Sequence, residues 1–470
     1  MEFIDREQEQ SRLIAALSSN APAFIVLYGR RRLGKSTLIR KVLSSKDVYF
    51  EASQSETATQ IDMLSKAIAM VYEGFDGPIY PSWEQIILAF NHRCEGNATL
   101  VLDEFPYMVY EDTSLPSTLQ RIVDRRVIGG ESLRCNIVIC GSSQRMMQGL
   151  IQGSEPLYGR ADEEFCLRPI RLPHWCKAMQ MDAKAAVEEY SVWGGVPQYW
   201  NQREKYDSFE DAVEGLVLNE HGLLYHEPSR LFRDDAQDIA PYSSIMTAIG
   251  SGCHRYSDIA SAVGKSTAEL SKPIKNLTEM AFIRKEVPFG ESEKKTKKTL
   301  YQIDDPFMAF YYKFVEPYKS TIAMGRTNIV KQMLERSFHD HVGGIWERIC
   351  QIAVSGNILF GHTWKVAGRW WGKAPVYEEG KKTPVRYEDL EFDVVAEDQN
   401  DKNTILVGEC KWKGADYADR LLDKLKKKVN VAPFAQGKKV VYALLLREQP
   451  LSDADCDILL PDDVILQLPE

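Results

Sequence analysis

Gly29-Arg30-Arg31-Arg32-Leu33-Gly34-Lys35-Ser36 follows the apolar run Phe24-Ile25-Val26-Leu27-Tyr28 and precedes Thr37-Leu38-Ile39-Arg40. A buried-type strand, a glycine-bracketed loop ending in Lys-Ser and a helix start form the order that a phosphate-binding loop requires. The strand delivers the chain to a tight turn. The glycines let backbone N–H groups approach phosphate oxygens, and the helix turns its positive end toward them. This spacing assigns nucleotide contacts to Gly29, Arg30, Arg31, Arg32, Leu33 and Gly34, and to Lys35, Ser36 and Thr37 behind them. Lys35 is expected to reach the β- and γ-phosphates and Ser36 to hold Mg²⁺.

A second apolar run, Thr99-Leu100-Val101-Leu102, ends in Asp103-Glu104. With the loop upstream, Asp103 is expected to bind Mg²⁺ through water, and Glu104 to orient or deprotonate the attacking water. ATP and Mg²⁺ are therefore the expected cofactors, and ATP hydrolysis the expected reaction. A third run, Asn136-Ile137-Val138-Ile139-Cys140, leads into Gly141-Ser142-Ser143. A γ-phosphate sensor at Ser142 fits there, as does ordinary turn chemistry.

These motifs, with Phe3-Ile4-Asp5-Arg6-Glu7, Leu102-Asp103-Glu104-Phe105-Pro106-Tyr107 and Trp193-Gly194-Gly195-Val196-Pro197, resemble the archaeal-type ATPases of the AAA+ superfamily, near the STAND branch. The resemblance covers roughly the first 320 residues. It implies an α/β fold with a P-loop AAA+ ATPase core (1–170), a helical lid (171–235) and a winged helix (236–320). It also implies that Pro197 lies on the lid near the adenine, and that Arg6 and Glu7 open a segment closing over the base. By the same resemblance Arg160, in Leu157-Tyr158-Gly159-Arg160, stands where an arginine finger enters a neighbour's site, which implies a homo-oligomer or a protein partner. The alternative is a surface arginine paired with Asp162 or Glu163.

Composition agrees with several domains: 470 residues suggest about three, and 44% hydrophobic residues is ordinary for globular chains. No run of 18 apolar residues is present, so no membrane helix is expected, and a membrane pump is disfavoured. The N-terminus lacks the basic and apolar regions of a signal peptide, which makes the cytoplasm the expected location. The nine cysteines are scattered, which points to reduced thiols. His339 and His341 flank Asp340 without further ligand spacing and are expected to be solvated.

The net charge of −9 conceals two basic runs, Lys294-Lys295-Thr296-Lys297-Lys298 and Lys424-Leu425-Lys426-Lys427-Lys428. The first belongs to a helix, turn, helix and two-stranded wing: Tyr256 to Gly264, Ser266 to Leu277 with Pro273 inside it, then strands near Ile283 and Thr299–Ile303. In DNA-binding versions the second helix enters the major groove and a basic wing meets phosphates. Such a module also serves as an interdomain connector. The aromatic helix Asp305–Phe314 reads as core, and residues 320–335 as a linker.

Beyond it, Leu390–Ala396 and Thr404–Trp412 read as hairpin strands around a polar turn. Residues two apart share a strand face, so Glu409 and Lys411 project together and Asp393 can meet them from the neighbour. Asp393 with Glu409-Cys410-Lys411 resembles the core of the PD-(D/E)XK nuclease superfamily, and Glu347 occupies the place of its N-terminal helix acid. This resemblance spans residues 335–470 and implies a C-terminal α/β restriction-endonuclease-like domain. There Asp393 and Glu409 would bind Mg²⁺, while Lys411 would activate water. It also matches the domain of unknown function often fused to archaeal-type ATPases. The reading is an ATP-hydrolysing protein with DNA as partner; the alternative is a nucleotide-gated switch whose C-terminal domain is silent.

Overall fold

The computed structural model describes residues 4–124, 132–233, 238–376 and 384–469. They divide into two compact units. The first is Met1–Pro169 with Val196–Gln198 and Ser229–Ile239, and the second is Ile170–Gly195, Tyr199–Pro228 and Ala240–Glu470.

The first unit is built on strands β1 (Phe24–Tyr28), β2 (Val48–Glu51), β3 (Thr99–Asp103), β4 (Asn136–Gly141) and β5 (Glu163–Cys166). They form a parallel sheet in the order β2-β3-β4-β1-β5. Every residue of β1, β3 and β4 is buried, as a parallel sheet covered on both faces requires. Alternation sorts the side chains: Phe24, Val26, Leu100 and Ile137 pack with Ile61, Ile86 and Leu119. Ile25, Leu27, Val101 and Val138 pack with Leu13, Leu38 and Ile39 on the other side. Because all five strands run the same way, the loop after β1, Asp103-Glu104 after β3 and Ser142 after β4 emerge at one edge, the usual place for a ligand in such sheets. β4 lies between β1 and β3 and so brings Ser142 between the two expected motifs.

The second unit contains the helices Leu172–Met179, Ala183–Trp193 and Phe209–Leu216. Three further helices, Ala240–Gly250, Tyr256–Val263 and Thr267–Glu279, precede the antiparallel pair β6 (Ile283–Glu286) and β7 (Leu300–Ile303). Gly264 closes Tyr256–Val263 with φ 69°, a conformation that suits glycine. A capping box between Ser266 and Glu269 starts the next helix, which continues through Pro273. The lysine run 294–298 lies in the β6–β7 connection. The aromatic helix Pro306–Phe314 buries Phe307, Phe310, Tyr311, Tyr312 and Phe314, as expected of core.

Two expectations are corrected here. Residues 327–335, read as linker, are the first turns of a 28-residue helix, Thr327–Val354. His341 is not solvated: it is buried among Phe310, Phe314 and Phe338. Its Nε2 lies 2.9 Å from the carbonyl of Ser191, and burial pushes the imidazole down to about 4. His339 is exposed.

After that helix come a small hairpin, β8 (Ile358–Leu359) and β9 (His362–Thr363), and then β10 (Gly368–Val376), β11 (Arg386–Glu397), β12 (Thr404–Lys411), β13 (Lys439–Leu446) and β14 (Asp457–Leu459). The last five form a sheet in sequence order. β10, β11 and β12 are antiparallel, the helix Ala418–Val431 crosses over, and β13 returns parallel to β12. One face, with Val394, Ala396, Leu406 and Leu445, packs on Val342, Trp346, Ile349 and Ala353 of the long helix. The other, with Val395, Ile405 and Val407, packs on Leu425 and Val429. The nine cysteines are free. No helix among the described residues is long and apolar enough to cross a membrane.

Candidate functional sites

In the first unit the glycines of the loop have separate reasons. Gly29 has φ 149°, and a Cβ there would stand 2.6 Å from the carbonyl oxygen of Leu167; Gly34 has φ 87° in open space, so conformation alone selects it. Gly34 is the N-cap of the helix Lys35–Val42. The buried Lys35 ammonium lies inside the loop and donates to the carbonyls of Gly29 (2.6 Å) and Arg30 (3.1 Å). Arg31 donates to the Tyr107 hydroxyl at 2.8 Å.

Ser36 Oγ donates to Asp103 Oδ2 at 2.9 Å. The Tyr49 hydroxyl donates to the same oxygen, and the Glu104 N–H donates to Asp103 Oδ1 at 2.8 Å. Burial pushes the Tyr49 hydroxyl's pKa upward and the Asp103 carboxylate adds to the shift, so Tyr49 stays a donor. A serine hydroxyl against a carboxylate gives two hard oxygen donors from separate elements, a set that fits Mg²⁺. Glu104 turns the chain out of β3 with φ 51°. Its carboxylate accepts from Ser142 Oγ at 2.8 and 3.0 Å and from the Ser142 N–H at 3.4 Å. The structure therefore joins Ser36 to Asp103, and Glu104 to Ser142. Pro197 opens the helix Pro197–Arg203 and groups with this unit.

Arg160 pairs with Asp124. Its Nε and Nη2 clasp Asp124 at 2.9 and 3.1 Å, and Nη1 donates to the Tyr158 carbonyl at 3.1 Å. Asp162 accepts the Phe24 N–H at 2.7 Å, and Glu163 pairs with Arg12. Asp124 ends the helix Leu115–Asp124, 36 residues upstream, and no local pattern announces it.

In the second unit β11 and β12 pair with Val394 opposite Gly408, which brings Asp393 and Glu409 side by side. Asp393 Oδ2 accepts the Cys410 N–H at 2.8 Å, and Gln351 donates to the Asp393 carbonyl at 2.9 Å. Glu409 is held at both oxygens, by Lys411 at 2.7 Å and Lys428 at 3.0 Å. Burial, and then the charge of Glu409, push Asp393 upward. Burial also acts to raise Glu409, but Lys411 and Lys428 outweigh it and leave the carboxyl below its ordinary value. Glu347, half-buried on the long helix, is pushed up to about 7 by burial first and by Asp393 second, with Arg369 and Lys411 opposing. The four expected residues thus form one electrostatic cluster, linked through Asp393 and Lys411.

Lys428 was not singled out by the motif. Its signal was its place three residues after Leu425 on the apolar stripe of the helix Ala418–Val431, where a lysine points inward. Two carboxylates side by side fit a divalent cation in donor type. Among the described residues no group of three His, Cys, Asp or Glu side chains is arranged for a metal.

Residues 3–199 match the family described as an ATPase domain predominantly from Archaea, and residues 311–424 match a family of archaeal and bacterial proteins of unknown function. An uncharacterized protein of Methanocaldococcus jannaschii is 28% identical over 432 residues, 90% of each chain. An uncharacterized ATP-binding protein of the same organism is 41% identical over 46 residues, 10% of this chain and 78% of that protein. A Walker-type ATPase of Pyrococcus abyssi superposes with a TM-score of 0.49 at 21% identity, covering 66% of this chain and 96% of that one. The ORC2 protein of Aeropyrum pernix does so with 0.45 at 14% identity, covering 70% and 97%. The P-loop unit is thus similar to ATPase domains of the archaeal type.

Proposed function

We propose that this protein binds and hydrolyses ATP in its first unit and acts on DNA through its second. The observation that supports the reading most is the junction of Ser36 with Asp103 and of Glu104 with Ser142 at one sheet edge. The loop's N–H groups and Lys35 would hold the phosphates, and Lys35 can exchange its carbonyl contacts for phosphate oxygens. Ser36 and Asp103 would hold Mg²⁺, which when bound neutralises charge on the phosphates. Glu104 would orient the attacking water, with Ser142 releasing it toward the γ-phosphate. Arg160 would act in trans after leaving Asp124, and Pro197 would border the adenine from a helical lid.

In the second unit the three helices with β6 and β7 have the order of a winged helix. The long helix, the three-strand meander, the crossover helix and the parallel β13 support a nuclease-like domain. Asp393 and Glu409 would bind Mg²⁺, Lys411 would activate water and Glu347 would support them. The ion pairs that Lys411 and Lys428 make with Glu409 favour a second reading, in which this domain binds without cutting and nucleotide gates a scaffold. The test is purified protein with labelled DNA or RNA, Mg²⁺ or Mn²⁺, with and without ATP, scoring phosphate release and cleavage beside Lys411→Ala. Phosphate release lost only in Glu104→Gln and cleavage lost only in Lys411→Ala support the first reading. Phosphate release without cleavage leaves the second, and absence of both refutes the proposal.

A further inference from the structure

A groove of about 1200 Å³ runs within the second unit, between the β6–β7 module and strands β10 and β11. Small-molecule sites occupy about 300–1,000 Å³, so its size suits a length of polymer. Three aromatic side chains line it: Tyr256, Tyr301 and Trp371. None is fully buried, and Tyr256 meets Tyr301 edge-on with centroids 5.8 Å apart. Trp371 and Lys373 are two residues apart on β10 and share a face, while Trp370, the residue before them, packs into the core with Phe392 and Phe434.

Charge supplies the second element. Six cations line the groove against three carboxylates. Two of the cations are already paired, Arg369 with Glu391 and Lys298 with Glu291. Arg255, Lys285, Lys297 and Lys373 are exposed, and the acids left are Glu293 and Asp389, the latter opposite Lys373. The groove's fixed shape comes from the hairpin connection docking on β10: the Phe289 N–H donates to the Arg369 carbonyl at 2.9 Å, and Phe289 meets Phe434 edge-on.

The groove also borders the carboxylate cluster. Glu391 lines it, and Asp393 follows two residues later on the same strand. Lys428 donates both to the Glu391 carbonyl (3.4 Å) and to Glu409 (3.0 Å). Aromatic faces between cationic walls suit unpaired bases, whose faces a duplex hides. We infer that this groove binds single-stranded nucleic acid, with bases on Trp371 and the two tyrosines and phosphates on the four exposed cations, and leads the strand toward Asp393 and Glu409. This rests on the proposed action on nucleic acid and adds the strandedness and the path.

Fluorescence anisotropy with the full chain in EDTA tests it, using labelled 20-nucleotide oligo-dT, oligo-U and a blunt 20-base-pair duplex. Either single strand should bind more tightly than the duplex, and comparison of dT with U tells DNA from RNA. Trp371→Ala should weaken the preferred strand about 5- to 150-fold, the range for loss of one stacked base, while Trp371→Phe retains most of the affinity. Reversing two exposed charges, Lys297→Glu with Lys373→Glu, should flatten the salt dependence; each lost phosphate contact removes about 0.7 from its logarithmic slope. If Trp371→Ala does not fold, the charge-reversed protein decides alone. Binding to single strands that none of these variants alters, or a preference for the duplex, overturns the groove assignment and leaves the action on nucleic acid standing. No binding to any probe overturns both.

Discussion

Glu347→Gln probes the electrostatics on which the second site depends. The Glu347 carboxyl is pushed from 4.5 up to about 7 by burial and by Asp393. An acid whose folded value lies above its unfolded value binds its proton more tightly in the native state. Its presence therefore costs nothing below about pH 4.5, and the native state loses stability as pH rises toward 7, with the full loss above. At about 1.36 kcal/mol per pH unit, the interval corresponds to roughly 3 kcal/mol at pH 8. This is an upper value, because the carboxyl is only half-buried and Asp393, itself shifted upward, repels less where it keeps its proton. Glutamine imitates the neutral acid at every pH. Hydrogen–deuterium exchange of peptides covering residues 340–354 and 404–412 reads the local opening free energy. At pH 5, just above the unfolded value, the variant should exchange at most about five-fold more slowly than the wild type. At pH 8 the variant should exchange more slowly, by up to about two orders of magnitude. Equal protection at pH 8, or a difference at pH 5 as large as at pH 8, refutes the reasoning.

Lys35→Ala should abolish ATP binding in a calorimetric titration, while Glu104→Gln binds ATP and turns it over about 10²- to 10⁴-fold more slowly, the usual worth of a positioned general base; equal turnover in Glu104→Gln and wild type refutes that role. Ser142→Ala should lower kcat with KM little changed, because it frees Glu104 without touching the loop. Arg160→Ala should leave ATP affinity intact and lower turnover by up to about 10³-fold, with partial recovery on mixing with Lys35→Ala; lost thermal stability with unchanged turnover would restrict Arg160 to its pair with Asp124. Lys428→Ala should tighten Mn²⁺ binding, measured by titration calorimetry at pH 8, because one of the two cations on Glu409 is gone; unchanged affinity shows that Lys428 does not compete there.

The P-loop was legible because its chemistry is written within eight consecutive residues, and β1, β3 and β4 because strands buried on both faces read as unbroken apolar runs. That Glu409 and Lys411 share a strand face was legible from period-two alternation. Partners fixed by tertiary packing were not: Asp124 for Arg160, Tyr49 for Asp103 and Lys428 for Glu409 lie 36, 54 and 19 residues away in the chain. His341 was misread for another reason. His-Asp-His looks like a polar triplet, yet His341 belongs to the helical stripe Phe338, His341, Val342, Ile345 and Trp346, whose i, i+3, i+4 spacing places the imidazole on the apolar face. The same stripe shows why residues 327–335 are not a linker: it runs back through the fully buried Val330 in the helix's first turn.

The two sites use lysine differently, and the difference bears on what each can bind first. Lys35 rests on two carbonyl oxygens, neutral acceptors that leave its charge uncompensated and exchangeable for a phosphate. Lys411 and Lys428 rest on the carboxylate of Glu409, and charge-assisted bonds are about twice as strong as neutral ones. The field of those two lysines is largely spent within the cluster, so a phosphate gains little by approaching it alone. For Glu409 to serve a cation, at least one lysine must release it, and a released lysine is then free to meet a phosphate. Cation and phosphate binding should therefore reinforce one another at the second site, whereas the first is already poised for its anion. Cooperativity between Mn²⁺ and oligo-dT that Lys428→Ala weakens is the signature of this exchange; additive binding in the wild type contradicts it.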